Sequence, residues 1–192
     1  MSASQRLRRR RLHSAGRSAV GIVACGLLVC ATAGCGSDLG AGLQPNAVTP
    51  YTASNALSPT GHHVTDLGDG RYRITATGSA ATPKARVEKI ALARAAEFGV
   101  ERSSKFFQTA APQFSIRCGK REYLEKGEKR KLPARGFAVV EVDVAYANTA
   151  ADPSYRATKE VSAALQAELL AESVADDAKQ SALAEVTAQC GV

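Results

Sequence analysis

The chain has 192 residues, with 25 Lys+Arg against 18 Asp+Glu, five Cys, three His and no Trp. Its formal charge of +7 is unevenly placed, because Arg6, Arg8, Arg9, Arg10, Arg11 and Arg17 all lie in residues 1–18, where there is no acid. Setting these six aside leaves 19 basic against 18 acidic residues. That balance gives no case for general nucleic-acid binding, which works by summed neutralisation of phosphates.

Residues 19–34 are uncharged and rich in Val, Leu, Ala and Gly. A basic start, a short apolar run and a small-residue end are the layout of an export signal. The run falls short of the roughly 20 apolar residues that a stable membrane-spanning helix needs. The arginines are similar to a twin-arginine signal, but no Ser precedes the pair and no Phe follows. Thr32-Ala33-Gly34-Cys35 resembles a lipobox, whose usual pattern is Leu, a small residue, Gly or Ala, then Cys. Thr32 stands in the Leu place. The resemblance implies cleavage before Cys35 and acylation of its thiol, with two or more chains holding firmly at about 0.8 kcal/mol per buried methylene. Gly36-Ser37 follows, with no Asp; by likeness to Gram-negative lipoproteins this implies the periplasmic face of the outer membrane. The competing readings are an uncleaved signal anchor and ordinary cleavage near Ala33.

Four regions are expected: a signal peptide over 1–34, a lipidated Cys with a flexible tether over 35–60, an α+β domain over 61–150, and a C-terminal helical region over 151–192. Residues 36–60 are expected to be a tether because large apolar groups are few there. His63 to Leu67 and Arg71 to Thr77 predict two strands, joined at Gly68-Asp69-Gly70, and Asp-Gly is a hairpin signal. In the second strand Tyr72, Ile74 and Ala76 alternate with Arg71, Arg73, Thr75 and Thr77, a pattern that buries one face. Thr82-Pro83 predicts a helix start with Thr82 as N-cap. Val87, Ile90, Ala91, Ala95 and Phe98 recur at helical spacing to about Ser103. Gly99 within it costs about 1 kcal/mol relative to Ala by propensity.

Lys105-Phe106-Phe107 reads as a strand start, and Phe114-Ser115-Ile116 as the continuation of that third strand after Pro112. Phe137 to Ala147 is the clearest strand, with Val140, Val142, Val144 and Tyr146 facing one way and Glu141 and Asp143 facing water. Pro153 opens a helical region striped by Val161, Leu165 and Leu169, with Leu183 and Val186 farther on. Ser173 to Asp176 resembles a capping box and divides it into two helices. The predicted fold is therefore α+β: a small antiparallel sheet of about four strands, one main helix packed on it, and a C-terminal helical extension.

Pro50-Tyr51, Gly70-Arg71-Tyr72-Arg73-Ile74, Val87-Glu88 and Ala93-Arg94-Ala95-Ala96-Glu97 together resemble a family of small alphaproteobacterial lipoproteins usually labelled CC0125/CC1285-type. The likeness covers about residues 50–147; Ile74 replaces the usual Val, and Gly99 interrupts the helix. It implies a lipoprotein with strand–helix–strand order and brings no activity with it.

Few residues offer chemistry. Beyond Cys35 the thiols are Cys118 and Cys190, which an oxidising compartment would pair. Such a bridge would close about 70 residues and contribute on the order of 3–4 kcal/mol. The alternative is two unconnected cysteines. Residues 117–135 hold Arg117, Lys120, Arg121, Lys126, Lys129, Arg130, Lys131 and Arg135 against three Glu. Lys126, Lys129, Arg130 and Lys131 are candidates for contact with an anionic surface, either lipid headgroups or an envelope polymer. The competing reading is a solvated hairpin loop. Adjacent histidines in a strand point to opposite faces, so His62-His63 is not expected to hold a metal. Arg94 and Glu97 are spaced to pair on one helix face. No phosphate-binding Gly loop, nucleophile elbow or metal signature is present. The expectation is a membrane-held envelope protein with no cofactor, no catalytic residue and no nucleic-acid partner; an anionic envelope polymer and another envelope protein are the candidate partners. The rival is a periplasmic hydrolase or accessory enzyme using Glu141 or Asp143.

Overall fold

The computed structural model describes residues 47–191, those at 120–124 and 131–134 by backbone alone. The expected export signal, Cys35 and the first part of the expected tether lie outside the described residues.

The hairpin of β1 (Gly61–Gly68) and β2 (Arg71–Gly78) forms where Asp-Gly predicts it. Asp69 and Gly70 both adopt positive φ, 53° and 70°, as a two-residue turn matched to strand twist requires. Helix α1 (Lys84–Glu101) follows. Thr82 is not its cap: the helix begins after Pro83 without a side-chain cap, because the Thr82 hydroxyl accepts from the Thr49 amide at 3.0 Å instead. The helix ends two residues before the expected Ser103, which adopts a positive φ of 58°.

Strands β3 (Phe106–Thr109) and β4 (Gln113–Glu125) are separate elements that share one edge of β5 (Glu128–Ala147). Thr109 pairs with Val144 and Gln113 with Glu141, so the step over Pro112 costs one extra residue and the line continues. β2 occupies the opposite edge of β5, from Arg71↔Ala145 to Gly78↔Ala138. A two-residue strand β6 (Arg156–Ala157) pairs with β3 and completes a six-stranded sheet. Helices α2 (Thr158–Ala171) and α3 (Asp176–Cys190) close the chain. The α+β prediction holds, with six strands where about four were expected.

The core lies between one face of the sheet and α1. Ile74, Ala76, Val140, Val142 and Val144 meet Val87, Ile90, Ala91 and Ala95, and Leu169 of α2 joins them. Phe107 is fully buried in the same cluster. Thr75 and Thr77, expected to face water, are buried.

Four further expectations need correction. Residues 47–55 do not belong to a free tether: Thr49 is buried, and Ala53 bridges His62 in parallel. The basic segment 117–135 is not a loop, because β4 and β5 stay paired to Glu125↔Glu128, and only Lys126 and Gly127 turn, both at positive φ. Pro153 does not open a helix; the chain turns through 152–155, and α2 begins only at Thr158, whose hydroxyl donates to the Ser104 carbonyl at 2.6 Å. The capping box at Ser173 is likewise unformed, since Ala175 is the residue at the start of α3.

Gly99 has a use that propensity hides. A Cβ there would lie 2.5 Å from Thr158 Cγ2 and 2.8 Å from Tyr146 Cε1, so only Gly lets α1 approach β5 and α2 this closely. Gly99→Ala is expected to lower stability by about 1–2 kcal/mol in urea unfolding, overpacking outweighing the gain in helix propensity. An increase would show that the contact can relax.

Candidate functional site

The polar residues that the sequence singled out on α1 sit at the centre of a network. The Arg94 guanidinium donates to Glu97 Oε2 at 2.6 Å and to both Glu101 oxygens, at 2.6 and 3.0 Å. Glu97 also accepts from the Tyr51 hydroxyl at 2.8 Å and from the Gln166 amide at 3.2 Å. Tyr51, Arg94 and Glu97, which carry part of the family resemblance, therefore meet in space although 46 positions separate Tyr51 from Glu97. Burial works against the charge of Glu97, but the hydrogen bonds from Arg94 and Tyr51 outweigh it and hold the carboxyl below its usual range. Burial, and then the bond to Glu97, push the Tyr51 phenol far up. A carboxylate saturated in this way with donors is a clamp between the N-terminal segment, α1 and α2. It is poorly suited to take a proton from a substrate.

His62 is buried and packs on Tyr51 with ring centroids 4.7 Å apart, while His63 is exposed. The two imidazoles thus point to opposite faces as strand geometry requires. Burial first, and then the Arg94 guanidinium, lower the pKa of His62 below 6.5. Among the described residues no cluster of His, Cys, Asp or Glu is arranged to hold a metal.

Glu141 and Asp143 lie on the sheet face away from α1, among arginines. Arg73 grips Asp143 with two bonds, Nε to Oδ1 at 2.7 Å and Nη2 to Oδ2 at 2.9 Å. Arg117 donates to Glu141 at 3.1 Å. The Arg73 hydrogen bond draws the Asp143 pKa below its ordinary value, the reverse of what a general acid needs. A depression of about 290 Å³ beside Asp143, lined by Arg71, Gln108 and Thr109, is open to solvent. These carboxylates make ion pairs across a sheet face.

Cys118 and Cys190 are joined as a disulfide, with their Cα atoms 5.5 Å apart. Beside it, Gly136 leaves room for α3: a Cβ would sit 2.0 Å from Val186 Cγ1 and 3.1 Å from Cys190 Sγ. The bridge stands where the paired β4–β5 ribbon leaves the sheet, at Cys118↔Gly136. Along the ribbon Lys126, Lys129 and Arg130 are exposed, and Arg130 bonds Glu125 at 3.2 Å. Lys131 is placed by backbone register opposite Glu122.

Arg86 was not anticipated. It is 7% exposed and donates to Glu172 at 2.6 Å, to the Thr49 carbonyl at 3.2 Å and to the Leu169 carbonyl at 3.4 Å. Its signal in the sequence is spacing: Arg86, Ile90 and Ala93 follow the i, i+4, i+7 rule of a buried stripe.

No helix among the described residues is long and apolar enough to cross a membrane. Comparison of the chain with protein-family models, with curated proteins and with solved structures finds no match.

Two outcomes follow from the network. Tyr51→Phe removes one donor from Glu97 and is expected to cost about 1 kcal/mol, the partial exposure of both groups keeping the figure modest. Amide exchange over residues 47–55 should then accelerate; unchanged exchange would mean that the contacts of Ala47, Thr49 and Ala53 dock this segment without Tyr51. A histidine whose folded pKa lies below its unfolded value of 6.5 favours the native state fully above pH 6.5. That contribution fades as pH falls through the folded pKa. His62→Gln should therefore flatten the decline of the urea midpoint below pH 6.5, and an identical slope in the variant would refute the assignment.

Proposed function

We propose that this chain is a lipid-anchored bacterial envelope lipoprotein facing the periplasm, with a non-catalytic binding, structural or sensing role. The observation that carries the reading is the Cys118–Cys190 disulfide, because such bridges persist in oxidising compartments and are rare in the cytosol. It supports the export implied by the basic and apolar segment of residues 1–34, and Cys35 after Ala33-Gly34 supplies the anchor point. The meeting of Tyr51, Arg94 and Glu97 supports membership of the small alphaproteobacterial lipoprotein family that these residues resemble. Gly36-Ser37 favours the outer membrane. A non-catalytic role is supported by the chemistry of the charged side chains: Glu97 is filled with donors, and Asp143 is neutralised by Arg73.

The test is the intact mass of the protein extracted from membranes, with and without reductant. The expected species begins at Cys35, carries added acyl mass and gains two hydrogens on reduction. A full-length unmodified chain would replace the lipid anchor with an uncleaved signal anchor. Two free thiols before reduction would remove the oxidising compartment.

A further inference from the structure

The β4–β5 ribbon leaves the sheet at the end where the chain enters the fold. β2 stops at Gly78, opposite Ala138, while β5 continues for ten residues beyond it, from Phe137 back to Glu128. At about 3.3 Å per residue, the ribbon projects about 33 Å past the end of β2. Immediately after Gly78, Ser79 donates its hydroxyl to the Ala47 carbonyl at 2.6 Å and its amide to Thr49 Oγ1 at 2.8 Å. Ala47 is therefore fixed at the end of the sheet from which the ribbon projects. Between Cys35 and Ala47 lie eleven residues, 36–46, and chain geometry limits their span to about 40 Å. A lipid on Cys35 would hold the membrane no farther from that end than about 40 Å, which is close to the projection of the ribbon.

Charge is separated along the same axis. Residues 117–135 hold eight Lys/Arg and three Glu, which leaves 11 basic against 15 acidic residues in the rest of the chain after Cys35. The body carries a net negative charge and the ribbon a net positive one. Near the tip, Arg130 engages Glu125 and Glu128, while Lys126 and Lys129 are exposed.

We propose that the tip of the β4–β5 ribbon docks on the anionic phospholipid headgroups of the membrane that holds the lipid anchor, and so sets the orientation of the domain. The proposal rests on the Cys35 anchor. The two contacts reinforce each other, since tethering raises the local concentration of headgroups around the ribbon. Each cation near an anionic surface strengthens attachment about fivefold, and the acidic body is repelled from the same surface.

The absence of Trp from the chain allows a direct test. The full protein carrying Tyr123→Trp is expressed in bacteria and extracted from membranes. It is then reconstituted into vesicles of brominated phosphatidylcholine, with or without one third phosphatidylglycerol. Flotation in high salt reads the anchor, and quenching of the Trp in low salt reads the ribbon. Quenching is expected with phosphatidylglycerol and lost without it. It should also be lost when Lys126, Lys129, Arg130 and Lys131 are changed to Gln, and kept when the three lysines are changed to Arg. Circular dichroism melts and the mass shift on reduction establish that the variants fold. Flotation without quenching would overturn the docking and leave the anchor standing; the hairpin would then be a solvated one. Binding of the ribbon to isolated sacculi with no quenching on vesicles would also overturn it, in favour of a wall polymer. Failure to float in high salt would overturn the anchor, and the docking with it.

Discussion

Strand β5 runs for twenty residues and, Pro133 apart, presents peptide N–H and C=O groups along its edges, and buried groups of that kind must find partners. No single neighbour meets the demand. β2 serves one edge over Ala138 to Ala145, and β4 and then β3 serve the other. The step at Pro112 follows from this division. Proline has no amide hydrogen to give a ladder, so the chain turns away for a few residues and rejoins. Past Ala138 β5 has lost its partner on one side, and what continues is a two-stranded ribbon. One long strand thereby makes both the core of the domain and its projection.

The valines of β5 that face α1 need a helix cover, and the cover needs fastening. Arg86 does this from inside. A buried guanidinium is costly unless each of its hydrogens is used, and here it reaches Thr49, Leu169 and Glu172. Three segments distant in sequence are therefore held by one side chain. On the same helix, Glu97 gathers Tyr51, Arg94 and Gln166. These two knots explain why residues 47–55, poor in apolar groups, are part of the fold.

What could be read in advance divides by mechanism. Elements built from local periodicity were legible: Tyr72, Ile74 and Ala76 in β2, Val87 and Ile90 in α1, and the Leu165–Leu169 stripe of α2. So was the Arg94–Glu97 pair, which spacing alone decides. The N-terminal segment was misread because the partners that fix Ala47 and Thr49 lie 30 or more positions away, at Ser79, Thr82 and Arg86. The basic segment resisted for another reason. Between Lys120 and Arg135 its apolar residues are few and do not alternate, so no face announces a strand, and pairing is imposed by the turn at Lys126-Gly127. Thr82 looks like an ordinary cap, yet its hydroxyl serves Thr49. The cysteines carried a reasoned expectation of pairing, but their approach depends on where α3 lies, which nothing in its weakly apolar sequence foretells.

The position of α3 follows from the needs of the ribbon. A two-stranded hairpin alone in water is marginal, and a ribbon that bears a surplus of like charge is more so. It must be supported at its base. α3 offers little apolar surface for the task, since Val186 is its one buried residue among those described. The covalent bond between Cys118 and Cys190 supplies what packing does not. With 72 positions between the two sulfurs, the chain-entropy account gives on the order of 4 kcal/mol, more than burial of one valine contributes. Gly136 completes the joint by admitting Val186 against the backbone of β5. The disulfide is thus a local brace as well as a global cross-link, placed where the paired strands leave the shelter of the sheet. Were the bridge reduced, α1 and its sheet would keep their core, while α3 and the ribbon base would depend on Val186 and a few half-buried neighbours such as Leu183. Loss of order would then begin at the basic projection and spare the body of the domain.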